Sequence, residues 1–67
     1  MAMLEDFKPK DLVAHIIMGD GVVTQVDDEG VHVSYYRKNG KMSRGLYDRR
    51  WFDRYPNYLF HRNTQPS

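Results

Sequence analysis

Across residues 11–36 the chain reads DLVAHIIMGDGVVTQVDDEGVHVSYY, short β-branched runs separated by glycine-marked turns, which is the pattern of an antiparallel strand meander. Residues 11–17 read as the first strand and 22–26 as the second. Between them MGDG is a turn in which two glycines admit backbone that other residues avoid. Residues 27–30 form a hairpin loop, with Gly30 suited to the left-handed position that closes a type I turn and bulge. Residues 31–37 are the third strand and 41–47 the fourth. Asn39-Gly40 between them predicts a two-residue type I′ turn, because that turn needs positive φ at both central positions.

Such a loop sets the pairing of strands three and four, placing Lys38 opposite Lys41, Tyr36 opposite Ser43, Val33 opposite Leu46 and His32 opposite Tyr47. Val31, Val33, Tyr35, Met42 and Leu46 then share the apolar face, with the Arg44 stem along Tyr35. His32, Ser34, Tyr36, Ser43, Gly45 and Tyr47 share the other, a shallow aromatic surface. After Tyr47 the period changes. Asp48 can cap a helical turn through Arg49, Arg50, Trp51 and Phe52, which Pro56 stops. Residues 58–60 are the fifth strand. Residues 1–10 are expected as a flexible lead, 11–62 as the folded domain and 63–67 as a disordered tail. The fold class expected is mainly β, a small SH3-like antiparallel barrel of about five strands with one short helical turn.

Sixty-seven residues allow one small core, and the absence of cysteine removes disulfides, zinc ribbons and thiolate chemistry. No apolar run is long enough to span a bilayer, and the N-terminal decapeptide carries acidic residues and lacks the apolar centre of a secretory signal, so a cytoplasmic protein with no membrane partner is expected. Charge is distributed unevenly. Residues 1–36 carry two lysines against seven acids, net −5, whereas residues 37–67 carry eight cations against two acids, net +6.

Residues 7–35 resemble the Tudor-like, SH3-like barrels at the C-termini of UvrD and PcrA helicases, and the RNA-polymerase-interacting domain of CarD and transcription-repair coupling factor. The shared pattern is a Gly-Asp start, a valine, a histidine or tyrosine, then Gly-x-Gly-x-Val and an acidic turn. Asp11, Val13, His15, Gly19, Gly21, Val23, Asp28 and Gly30 match it in order. Lys10 stands where the first glycine would be, Ile16 where proline often follows, and Met18 where an aromatic residue or histidine is usual. The resemblance implies a barrel that docks a protein partner, RNA polymerase in those families, through an exposed strand edge. It also implies a small bacterial or bacteriophage accessory protein acting in transcription or DNA repair.

Candidate chemistry is sparse. His15, His32 and His61 lack close ligand spacing, so no metal and no cofactor is expected. Ser34 and Ser43 lack a nucleophile elbow, the MGDG turn lacks the lysine of a phosphate-binding loop, and Asp27, Asp28 and Glu29 read as a solvated turn. The chain is expected not to be an enzyme. Cations interleaved with rings make Tyr36, Arg37, Lys38, Lys41, Tyr47, Arg49 and Arg50 the expected partner-binding residues. A protein partner is the first expectation and a nucleic acid the second, with self-association through exposed strand edges a third.

Overall fold

The computed structural model describes residues 3–62 of the chain. The expected tail at 63–67 lies outside the described residues. Five strands, β1 (Leu12–His15), β2 (Gly19–Asp27), β3 (Gly30–Tyr36), β4 (Met42–Tyr47) and β5 (Leu59–His61), form one antiparallel sheet in the order β4-β3-β2-β1-β5. One short helix, α1 (Arg49–Arg54), separates β4 from β5, and a 3-10 turn at Leu4–Asp6 precedes β1. The mainly β class, the strand count and the helical turn are those expected.

Alternation decides which side chains meet. Val13, Val23, Val31, Val33 and Tyr35 point from successive strands to one face and are almost fully buried. Phe52 of α1, Leu59 of β5 and Tyr47 of β4 close this core from the helix and the sheet ends. Asp48 caps α1 as expected, its side-chain oxygen accepting the Trp51 N–H at 2.9 Å.

Within residues 3–10 one side chain, Phe7, belongs to the core, and Leu4 packs against it. Phe7 is buried between the Phe52 ring at 5.4 Å and the His61 ring at 4.6 Å, and the Lys10 N–H donates to the Val23 carbonyl. Lys10 has φ +77°, and it occupies the position where the resembled barrels carry glycine.

The hairpin between β3 and β4 differs from the expected two-residue turn. Gly40 N–H donates to the Arg37 carbonyl, and Arg37 N–H to the Lys41 carbonyl, so Lys38, Asn39 and Gly40 make a three-residue loop. Gly40, at φ +80°, takes the left-handed position that ends it. Pairing is therefore shifted by one residue: Val31 faces Tyr47, His32 faces Leu46, Val33 faces Gly45, Ser34 faces Arg44, Tyr35 faces Ser43 and Tyr36 faces Met42. A one-residue slip reverses the faces of β4. Tyr47 enters the core, and Met42 and Leu46 leave it.

The reason lies in ring volume. Tyr35 and Tyr47 together fill the space above β3 and β4, their hydroxyls hydrogen-bonded at 2.7 Å, and Tyr47 packs against Trp51 with ring centroids 4.2 Å apart and planes tilted by 48°. Gly45 makes room for this, since a Cβ there would strike the Tyr47 ring. Burial raises the pKa of both phenols, so they stay neutral hydrogen-bonding partners at any physiological pH.

Candidate docking edge

Among the described residues, β4 is the last strand on its side of the sheet, paired to β3 alone. In an antiparallel ladder, residues that exchange hydrogen bonds alternate with residues whose N–H and C=O point away from the neighbour. The Arg37–Lys41 bond sets the phase: Ser43, Gly45 and Tyr47 bond to β3, while Met42, Arg44 and Leu46 direct their backbone groups outward. Among the described residues, no backbone bond outside the β3 ladder involves any of these three. The result is a row of free donors and acceptors, the geometry to which another extended chain can add.

The same three residues present their side chains on the outer face of the sheet. Met42 and Leu46 are 59% and 48% exposed, and Tyr36, beside Met42 on β3, is 66% exposed. Arg44 lies between the two apolar residues, with no ion pair or hydrogen bond to another described side chain. Beside Arg44 the outer face is concave, a depression of about 400 Å³ lined by Thr24, Gln25, His32, Ser34 and Leu46. On its β2 side the strand carries a bulge, the register shifting between Val23 and Gln25 so that Thr24 has no partner on β3.

The expected contacts separate into three places. Tyr36, Arg37 and Lys38 line a groove with Met18, Gly19, Asp20 and Asn39, where the β1–β2 turn approaches the hairpin, and exposed Lys41 follows at the start of β4. Arg49 and Arg50 are exposed beyond the other end of β4, roughly 17 Å away along the strand. Arg49 is already engaged there, paired with Glu5, whose carboxyl it holds below its usual pKa. Tyr47 is buried, which removes it from the shallow aromatic surface expected of it.

No family model, curated protein or solved structure matches the chain.

The geometry therefore carries the functional reading. Met42, Arg44 and Leu46 are the residues that sequence reasoning placed facing the wrong way. The signal that finds them is Lys38-Asn39-Gly40 read as a three-residue loop with its glycine last, which exchanges the two faces of β4. At the far end of the sheet the hairpin also gathers Asp27, Glu29 and His32, one ligand atom from each lying within 4.8 Å of the others. Of the three, Asp27 and His32 are already engaged: Asp27 accepts from the Glu29 backbone N–H and the Gln25 amide and faces the His32 ring at 3.1 Å. Partial burial alone would raise the Asp27 pKa, but these hydrogen bonds outweigh it and hold the carboxyl below its usual range.

His15 plays a structural part near the groove. Its ring is buried among Tyr35, Tyr47, Trp51 and Tyr58, and Nδ1 accepts the N–H groups of Ile17 and Met18 at 3.0 and 3.2 Å. This arrangement fixes the β1–β2 turn, and with it the groove wall formed by Met18 and Gly19.

Proposed function

We propose that the chain is a non-enzymatic binding module that docks a protein partner by adding an extended segment of that partner to the edge of β4. The observation that carries the reading is the coincidence, on one strand, of unpaired backbone groups with exposed apolar side chains at Met42 and Leu46. Main-chain hydrogen bonds supply affinity in this mode, and alternate side chains supply selectivity. The sheet order and the single helix before the last strand support the finer assignment, an SH3-like, Tudor-like barrel. On that assignment the resemblance points to a cytoplasmic partner in bacterial or bacteriophage transcription or DNA repair, RNA polymerase among them.

The second reading, nucleic-acid binding, is supported by the groove in which exposed Tyr36 neighbours Arg37 and Lys38. One experiment separates the two. Leu46→Pro removes an outward N–H and leaves the β3 ladder bonds in place, so the fold is retained. In a pull-down from bacterial extract the wild-type chain retains a protein partner and Leu46→Pro loses it. Retention by both, or no protein partner together with salt-sensitive oligonucleotide binding that a Lys38 and Lys41 double substitution abolishes, contradicts strand addition.

A further inference from the structure

The edge of β4 also specifies which kind of segment it accepts, an inference that rests on the docking reading above. A strand added beside β4 stands in the same pleat, so its residues opposite Met42, Arg44 and Leu46 project onto the same outer face. Three consecutive partner residues of one face are thereby addressed by an apolar, a cationic and an apolar side chain. We infer that β4 takes an acidic extended segment of another protein, reading apolar, any, acidic, any, apolar, with its carboxylate opposite Arg44.

Charge on the surrounding surface favours the same partner. Exposed Lys41 stands at the start of the edge, with Arg37 and Lys38 at the hairpin beyond it, whereas the acids near its two ends are engaged, Asp20 by Arg62 at 3.2 Å and Asp27 by the His32 ring at 3.1 Å. A second copy of this chain fits poorly. Antiparallel pairing of two β4 strands with full overlap places Met42 opposite Leu46 but sets Arg44 opposite itself, and like charges directly opposite one another are destabilising.

The test uses the full chain and three labelled peptides centred on Val-Thr-Glu-Thr-Val, Val-Thr-Gln-Thr-Val and Val-Thr-Lys-Thr-Val. Binding is read by fluorescence polarisation and by amide protection at Met42, Arg44 and Leu46. The glutamate peptide binds about tenfold more tightly than the lysine peptide, with glutamine between them. Arg44→Glu reverses that order, and Arg44→Gln flattens it; the site is exposed, and an unchanged amide spectrum away from β4 confirms folding. Equal affinity for the three peptides, with protection of the β4 amides, overturns the acidic preference and leaves strand addition standing. Absence of binding by all three overturns the preference as well, while the pull-down with Leu46→Pro judges the docking reading independently.

Discussion

His15 is the residue through which pH reaches this fold. Burial pushes its imidazole below the ordinary histidine range, because the charged form would lose hydration among four aromatic rings. The groups facing it from β3, β4, α1 and the segment before β5 are three phenols and an indole, none of which charges near neutrality. Protonation at Nδ1 would also convert the acceptor of two backbone N–H groups into a donor. The unfolded chain therefore binds the proton more readily than the folded one. Stability from this source is complete above about pH 6.5 and declines as the pH falls below it. The melting temperature is expected to drop between neutral and mildly acidic pH in the wild type, and to stay flat over that interval in His15→Asn, whose amide oxygen can still accept from the turn. A wild-type melting temperature constant across the same interval would remove His15 from this role. Asp11 and Asp27, both held below the usual carboxylate range despite partial burial, lose their contribution only below about pH 4, so the two effects are separable.

The β3–β4 hairpin shows at the scale of an element why pattern alone misses part of the fold. Strand β3, the Asp48 cap and the α1 turn were readable because each is signalled by adjacent residues, but the β1–β2 reversal was not: it falls at residues 16–18, inside the strand expected at 11–17, while Gly19, Asp20 and Gly21 of the expected turn begin β2. Nor were the faces of β4. Asn39-Gly40 fits a two-residue loop, and apolarity alone favours Met42 and Leu46 for the core over Ser43 and Gly45. What decides between the registers is the volume of the Tyr35 and Tyr47 rings and their shared hydrogen bond, visible only once β4, β3 and α1 are packed. Phe7 escaped for a related reason: one apolar residue among charges has no period, and its partners Phe52 and His61 are distant in sequence. Because Gly40 sits at φ +80° with open space around it, Gly40→Val is expected to cost more than about 1 kcal/mol through backbone strain, and Gly40→Asn markedly less. Chemical denaturation measures both. Equal midpoints for the two variants would show that the left-handed position is not required.

For the whole molecule, folding converts a steep charge gradient along the sequence into a divided surface. The cations after residue 36 do not gather into one patch. Arg49 is neutralised by Glu5 and Arg62 by Asp20, while Arg37, Lys38, Lys41 and Arg44 collect at the hairpin and along β4. The expected contact residues are thus divided between the two ends of β4: Arg37, Lys38 and Lys41 lie at the hairpin with Arg44 on the open edge of the sheet, and Arg50 stays exposed beyond the other end. That coincidence of charge, exposed Met42 and Leu46, and free backbone groups is the basis of the docking account. Residue-resolved amide hydrogen exchange of the full chain, alone and with the captured partner or the glutamate peptide, tests it most directly. The account predicts fast exchange at Met42, Arg44 and Leu46 beside slow exchange at Ser43, Gly45 and Tyr47 in the free chain, with the three fast amides becoming protected on binding. Binding that leaves those three amides fast while protecting the hairpin groove or β5 would contradict it.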